Sequence, residues 1–229
     1  DNLVEGLVIE GHSVILFDNR DTGGSSNFES WGEPVLWWEL VKDKFGFDVN
    51  APYNLDDMAQ DTVSLLDKLS IEKAHIVGAS MGGMIAQIIA AKYPERTQSL
   101  VSIMSTTGAK HLPPPSSEAM KSLQDLAEGE AAEEHALRMR QRGFYLESMP
   151  RQITAILKTG DRSTDVASIS APTLILHGED DELIYPVHGE HTAQLIKNSK
   201  MVTFPGMAHN IPDDVLPSLL MNMNQHFAM

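Results

Sequence analysis

The sequence predicts an α/β fold, in which a mostly parallel sheet carries helices on both faces and a helical insertion forms a lid. Two features of the sequence indicate this fold. Short apolar runs, β-branched and continuous rather than alternating, are typical of strands that are buried on both faces. Segments with apolar residues at helical spacing separate these runs, and strands that alternate with helices are typical of a parallel sheet.

Five apolar runs predict the strands. The first is Ser13–Phe17, which ends at Asp18 and is apolar almost throughout, so we expect it to lie inside the sheet. The remaining four runs are Ala74–Val77, Leu100–Met104, Thr173–Leu176 and Met201–Phe204.

Helical periodicity predicts the elements between the strands. The segment Leu55–Leu69 repeats apolar residues at helical spacing and is acidic near its start, where the helix dipole favours negative charge. Met84–Tyr93 is a second predicted helix, which Pro94 stops because proline cannot continue the hydrogen bonding. Two more helices are predicted near the end of the chain, at Val187–Ile196 and Asp214–Phe227.

Residues 110–171 contain no convincing strand and predict a helical insertion. Pro113–Pro115 opens it as a stiff extended spacer, and the helix that follows is acidic early and basic late. We interpret residues 110–171 as a lid over the sheet, and residues 1–109 and 172–229 as the core. The alternative is a second helical layer without a gating role.

Composition excludes several classes of function. Lys and Arg number 17 against 32 Asp and Glu, and the resulting net charge of −15 disfavours binding to nucleic acid and anionic lipid. The absence of cysteine excludes disulfides, a thiolate nucleophile and Cys-ligated metal sites, and it fits a reducing compartment, so we expect a cytoplasmic protein. No apolar stretch reaches the roughly 20 residues that a membrane helix needs.

The stretch Gly78–Gly83, between a predicted strand and a predicted helix, is the strongest indication of chemistry. A sharp turn from strand to helix strains its central residue and exposes that side chain, here Ser80. Gly78 and Gly82 would let the turn close because neither has a Cβ. The N–H of Met81 would lie at the positive start of the helix, where it could stabilise an oxyanion. The alternative is a glycine-rich turn needed only for packing.

A serine hydroxyl needs a base that accepts its proton. His209 is the candidate, because it lies in the loop after the last predicted strand, where parallel sheets place functional groups. The alternative for it is a solvated loop residue. His188 and His191 have the spacing of a metal pair but lack an evident third ligand, so we expect solvated helix residues. His177 is expected to be a packed or hydrogen-bonded core residue.

The base in turn needs a carboxylate that holds its tautomer. Four consecutive acids at positions 179–182 follow the predicted strand Thr173–Leu176, whereas the loop after the preceding strand has no acid between Ser99 and Lys110. Asp181 and Asp180 are the two candidates, and we expect Glu179 and Glu182 to be solvated.

Together these motifs resemble the α/β-hydrolase family along essentially the whole chain. Phe17–Ser25 looks like the loop after the fourth strand of that fold, Gly78–Gly83 like its nucleophile elbow, and Gly206–His209 like its histidine loop. His177-Gly178-x-x-Asp181 looks like its acid loop, and this likeness selects Asp181, with Asp180 as the alternative. The form Asp-x-Arg-Asp-Thr-Gly and the run His-Gly-Glu-His at 188–191 are similar to the subgroup that includes aclacinomycin methylesterase, although the lid is shorter here.

The resemblance implies a serine hydrolase that cleaves carboxylic esters. Ser80 would be the nucleophile, His209 the base, Asp181 the acid that orients it, and Met81 one donor of the oxyanion hole. The substrate would be a small-molecule ester, and no cofactor or metal is implied. Two alternatives stay open: acyl transfer or perhydrolysis with the same triad, and a ligand-binding protein that keeps the fold without turnover.

The resemblance also implies residues before Asp1. Family members have further strands ahead of the one assigned to Ser13–Phe17, and a loop there supplies a second oxyanion-hole donor. We therefore expect at least two N-terminal strands that this sequence lacks. A substrate pocket could use three tryptophans and several apolar side chains of the lid. The tryptophans are Trp31, Trp37 and Trp38. The lid residues are Met120, Leu123, Leu126, Met139, Phe144, Leu146 and Met149.

Overall fold

The computed structural model describes residues 2–121 and 146–228. These residues form two compact units. The first, which we call the sheet unit, takes the chain as far as Leu16, from Thr62 to Pro115 and from Asp161 onward. The second, which we call the accessory unit, takes Phe17–Asp61 and the described parts of Ser116–Gly160.

The sheet unit is built on four parallel strands that are hydrogen-bonded in chain order. They are β1 (Ala74–Ala79), β2 (Thr97–Ile103), β3 (Thr173–Gly178) and β4 (Ser199–Phe204). All four coincide with predicted runs. Because the strands are parallel, the loops that follow them lie at the same edge of the sheet, which is where such folds place their functional groups.

The helices are numbered in chain order. They are α1 (Asn2–Ile9), α2 (Leu36–Lys44), α3 (Leu55–Lys68), α4 (Met81–Lys92), α5 (Met149–Thr159), α6 (Ser163–Ala167), α7 (Pro186–Leu195) and α8 (Leu216–Phe227). Residues 117–121 are also helical. The predicted helices correspond to α3, α4, α7 and α8, whereas the sequence pattern did not predict α1 and α2.

Helices cover both faces of the sheet, as predicted. On one face α8 packs with α1, and Leu219 of α8 belongs to the same buried cluster as Val101 and Ile103 of β2. On the other face Gln87 of α4 donates a hydrogen bond of 3.1 Å to Ser102, which alternates with Val101 and Ile103 along β2. Strand β2 is therefore covered on both sides, and all six residues of β3 are buried, which explains the nearly continuous apolar sequence of both strands.

The prediction of a strand at Ser13–Phe17 is wrong for this structure. Residues 12–19 have no regular secondary structure. Ile15, Leu16 and Phe17 are 42%, 69% and 44% exposed, although an interior strand would bury them. Apolar composition gives a segment only the tendency to form a strand. The strand itself requires a neighbour that completes its hydrogen bonds, and the described sheet ends at β1.

The described part of the predicted lid contains helices α5 and α6 and no strand. The acidic-to-basic helix lies mostly at 122–145, outside the described residues, as do the pocket candidates Leu123, Leu126, Met139 and Phe144. The compact units group residues 17–61 with 116–160 and assign 161–171 to the sheet unit, so their boundaries differ from the predicted core and lid. The gating role of this insertion stays a prediction.

A buried ion pair holds the accessory unit together. Arg151 donates two hydrogen bonds to the carboxylate of Asp21, from Nε and from Nη2. The same carboxylate also accepts hydrogen bonds from Tyr53 Oη at 3.0 Å and from the Phe28 N–H at 3.1 Å. Burial would raise the pKa of Asp21, but the hydrogen bonds, that from Arg151 above all, outweigh it and hold this pKa below its usual value. Burial and the neighbouring Asp21 raise the pKa of Tyr53.

In the described ranges 2–121 and 146–228, no helix combines the length and the apolar character that crossing a membrane requires.

Candidate active site

Ser80 occupies the turn between β1 and α4 in a strained backbone conformation. Its φ of 52° and ψ of −120° lie in a region that non-glycine residues rarely adopt. The surrounding chain holds it there: the Ser80 N–H donates to the Ile103 carbonyl at 2.9 Å, and the Ser80 carbonyl accepts from the Met84 N–H at 3.1 Å. The hydroxyl of Ser105 also donates to the Ser80 carbonyl at 2.8 Å. Sequence reasoning predicted this turn but missed Ser105.

The glycines of this turn do not all act as expected. A Cβ on Gly78 would lie 2.1 Å from the Gly82 carbonyl oxygen, so only glycine fits at position 78. A Cβ on Gly82 would meet nothing within 4 Å, so the predicted steric need at this position is wrong. At Gly83, by contrast, a Cβ would come within 2.6 Å of the Ser105 Cβ. The close contacts of the turn therefore involve Gly78 and Gly83.

His209, in the loop after β4, lies between Ser80 and Asp181. Its Nε2 is 3.0 Å from Ser80 Oγ, and its Nδ1 is 2.8 Å from Asp181 Oδ2. A carboxylate can only accept, so Nδ1 carries the hydrogen and Nε2 is left as the acceptor for the serine proton. The histidine side chain is 21% exposed, whereas that of Asp181 is fully buried. The structure thus brings together the three residues that the sequence selected.

The two neighbouring acid candidates face different ways. Asp181 Oδ1 accepts the N–H groups of Leu183 and Ile184 at 3.0 and 2.9 Å, which leaves Oδ2 for His209. Asp180 is exposed, and its Oδ2 accepts the Gly206 N–H at 3.0 Å. The geometry therefore favours Asp181 over Asp180 as the partner of the histidine.

Met81 is the first residue of α4, as the predicted oxyanion donor would be. The first N–H groups of a helix have no acceptor within it, and the helix dipole gives this end a partial positive charge. A negative oxygen formed beside Ser80 would meet this end of α4. The position of Met81 therefore suits the stabilisation of an oxyanion.

The three other histidines that the sequence analysis considered make hydrogen-bond contacts with residues outside the triad. His177 is fully buried and its Nε2 donates to the Ile184 carbonyl, as the sequence led us to expect. His188 contacts Thr106 and the Pro113 carbonyl, at 2.7 and 3.0 Å, so the expectation of a merely solvated residue is wrong. His191 likewise contacts Thr107 at 3.0 Å. Burial lowers the pKa of all three.

Metal binding has no evident site in the described parts of the chain. No group of three or more His, Cys, Asp or Glu side chains there is arranged to hold an ion. The serine, the histidine and the buried carboxylate form one hydrogen-bonded chain, an arrangement that can transfer a proton from a hydroxyl group.

Comparison with known proteins agrees with this architecture. A family model described as the alpha/beta hydrolase fold matches residues 1–143. Rhodomycin D methylesterase DauP of Streptomyces sp. strain C5 is 25% identical over 93% of this chain and 80% of its own length. The 2-hydroxy-6-oxo-6-phenylhexa-2,4-dienoate hydrolase of Comamonas testosteroni is 27% identical over 87% of this chain and 82% of its own.

A solved structure covers the whole chain. MGS-M2, an alpha/beta hydrolase enzyme from a deep-sea metagenome library of the Medee basin, superposes with a TM-score of 0.70. It is 22% identical, and the match covers 100% of this chain and 84% of MGS-M2. At that identity the likeness shows a shared fold.

Proposed function

Since the chain belongs to the family of proteins with the alpha/beta hydrolase fold, we propose that it is a serine hydrolase that cleaves carboxylic esters. The observation that carries this proposal is the continuous hydrogen-bonded chain from Ser80 through His209 to Asp181. The similarity to a rhodomycin D methylesterase, which extends over 93% of the chain, supports an ester as the substrate.

In the first half of the proposed reaction the enzyme is acylated. Ser80 Oγ attacks the carbonyl carbon of the ester while its proton passes to His209 Nε2. Asp181 stabilises the imidazolium that forms, and the Met81 N–H donates to the negative oxygen of the tetrahedral intermediate. The bond from carbon to the alcohol oxygen then breaks, and His209 gives that oxygen its proton. An acyl group remains on Ser80.

In the second half water releases the acid. His209, neutral again, takes a proton from a water molecule that attacks the acyl carbon. The second tetrahedral intermediate collapses, the bond to Ser80 Oγ breaks, and His209 returns the proton to the serine. Every proton has a donor and an acceptor among these residues, the substrate and water, so the cycle needs neither a metal nor a cofactor.

The test is hydrolysis of p-nitrophenyl esters with acyl chains of increasing length. We expect an initial burst of p-nitrophenol that is stoichiometric with enzyme and absent in Ser80→Ala, since triad members act as a unit. A fluorophosphonate should label Ser80 and no other serine. The control is Ser168→Ala, which removes an exposed hydroxyl that donates to the Asp165 carbonyl. A Ser80→Ala enzyme that keeps a tenth or more of wild-type kcat would contradict the proposal.

A further inference from the structure

His177 is a buried titratable side chain that the proposed reaction does not use. It lies on β3, four residues before Asp181, and is 0% exposed. Its Nε2 is 2.7 Å from the Ile184 carbonyl oxygen and 3.6 Å from Asp181 Oδ2. Because a carbonyl oxygen can only accept, Nε2 carries a hydrogen, and its N–H dipole lies close to the carboxylate.

The other side of the ring lies in apolar surroundings. Nδ1 has no hydrogen-bond partner in the described structure. A Cβ on Gly189 of α7 would come within 2.7 Å of this nitrogen and 2.9 Å of the Met201 methyl group, so α7 packs directly on the ring because residue 189 is glycine. A second N–H at Nδ1 would be buried without an acceptor, which makes the charged ring costly here.

His177 is consequently neutral at the pH where a triad works. Burial lowers its pKa most strongly, and His209, when it is protonated, acts in the same direction. The Ile184 carbonyl, Asp181 and Glu190 raise the pKa, but they do not compensate for burial. The contact of 3.6 Å with Asp181 is therefore a dipole beside a charge and not an ion pair.

The hydrogen bond to Ile184 closes the turn that holds Asp181. Ile184 accepts from His177 through its carbonyl and donates its own N–H to Asp181 Oδ1, to which Leu183 also donates. His177 thus holds the carbonyl group of the same residue whose N–H holds the carboxylate, and it does so without adding a positive charge. A lysine or arginine at this position would pair with Asp181 and reduce the stabilisation that is left for His209.

We propose that His177 is a positioning residue for the triad: its neutral Nε2–H fixes the turn 181–184 and keeps the charge of Asp181 directed at His209. This role rests on the proposed function, because it acts on the reaction through Asp181. It requires two properties at once, a hydrogen-bond donor that reaches the Ile184 carbonyl and the absence of charge.

The test compares three substitutions of His177 in hydrolysis of p-nitrophenyl acetate. His177→Leu removes the donor, and His177→Asn is too short to reach Ile184. His177→Gln offers a neutral N–H near the position of Nε2. We expect kcat to fall by about 10- to 100-fold in the Leu and Asn variants, with KM little changed, because the carboxylate is misplaced by a fraction of an ångström to an ångström. The Gln variant should recover most of kcat.

The pH profile separates positioning from plain destabilisation. The value of kcat/KM should rise with pH, because only a neutral base accepts the serine proton, and a misplaced Asp181 carboxylate stabilises the protonated base less. The midpoint should therefore move down by about half a pH unit or more in the Leu and Asn variants and stay in place in the Gln variant. His226→Leu is the matched control, because His226 is also buried and its Nε2 donates to the Leu100 carbonyl at 3.2 Å. It should lower the Tm without moving kcat or the midpoint.

Three results would overturn the proposal: wild-type kcat and midpoint in a folded His177→Leu enzyme, a Gln variant no better than the Asn variant, or a midpoint shift in His226→Leu as large as in His177→Leu. If His177→Leu does not fold, the comparison of Gln with Asn decides. Ser80→Ala, measured in parallel, keeps the two proposals apart. An active Ser80→Ala enzyme refutes the proposed function, whereas an inactive one beside unaffected His177 variants refutes only the role of His177.

Discussion

Asp21 in the accessory unit and Asp181 in the sheet unit are both 1% exposed, yet their partners differ in kind. Asp21 faces the guanidinium of Arg151, a permanent cation that is 2% exposed. Asp181 accepts two backbone N–H groups and the Nδ1–H of a partly exposed histidine. A buried carboxylate needs compensation in both cases, but only Asp181 has a partner whose charge can appear and disappear.

The difference separates a carboxylate that stabilises a fold from one that can serve a reaction. The charge of Asp21 is already neutralised by Arg151, so Asp21 cannot stabilise a new cation that forms elsewhere. Asp181 faces neutral groups at rest, since His177 is also kept neutral by burial. In the proposed reaction its charge matters most at the moment when His209 takes the serine proton.

The largest expected effect is the loss of activity when the carboxylate of Asp181 is removed. Asp181→Asn should lower kcat by about 10⁴-fold, because an amide favours the wrong tautomer of His209 in a comparable triad. The Tm should change far less than kcat. The matched control is Asp180→Asn, one residue away, whose carboxylate accepts the Gly206 N–H and not His209. Steady-state kinetics on one ester would test both, and a greater loss in Asp180→Asn would exchange their roles.

The opposite pattern is expected for Asp21. Asp21→Asn leaves Arg151 buried without its counter-ion and should lower the free energy of unfolding by about 3–5 kcal/mol. Denaturant titration measures this loss, and kcat per folded molecule should stay near wild type. Asp61→Asn is the control within the same unit, because its pair with Arg20 is far more exposed and should contribute under about 1 kcal/mol. Equal losses in the two variants would contradict the importance assigned to burial.

Acid should remove stability in two stages. Burial lowers the pKa of several histidines below 6.5, so the unfolded chain binds more protons than the folded one and stability falls as the pH drops below 6.5. They are His75, His177, His188, His191 and His226. The pKa of Asp21 is lowered from 3.8, so its contribution is present above pH 3.8 and is lost below it. Tm measured from pH 8 to pH 3 should show both stages, and His226→Leu should weaken the first. A Tm that is constant from pH 7 to pH 5 would contradict the assignment.

Sequence patterns predicted what depends on local chemistry. Strands β2 and β3 are apolar because both their faces are covered. Ser80 lies in a turn that can close only with glycine at position 78. Ser13–Phe17 has the same composition as a strand, but strand formation depends on a distant partner, which no local pattern contains. The prediction failed there for that reason.

The direction of individual side chains was also beyond local patterns. Asp180 and Asp181 are adjacent and chemically alike, and only the turn geometry directs one at Gly206 and the other at His209. The contacts of His188 and His191 with Thr106 and Thr107 join segments more than 80 residues apart, so helical spacing could not reveal them.

The smallest expected effect is on activity when the hydroxyl of Ser105, which supports the turn at Ser80, is removed. Ser105 is 3% exposed and donates to the carbonyl of Ser80, whose φ of 52° must be maintained by its neighbours. In Ser105→Ala the bond from the Met84 N–H to the same carbonyl remains, so the turn persists but is held less firmly. We expect kcat to fall about tenfold with little change in KM, as a small displacement of the nucleophile would produce.

Ser102→Ala is the control, because Ser102 is equally buried on the preceding strand but its side chain bonds only to Gln87 among the described residues. It should cost about 1 kcal/mol of stability and leave kcat per folded molecule unchanged. A loss in Ser105→Ala as severe as in Ser80→Ala would place Ser105 in the reaction itself, and no loss would show that the helix alone maintains the turn.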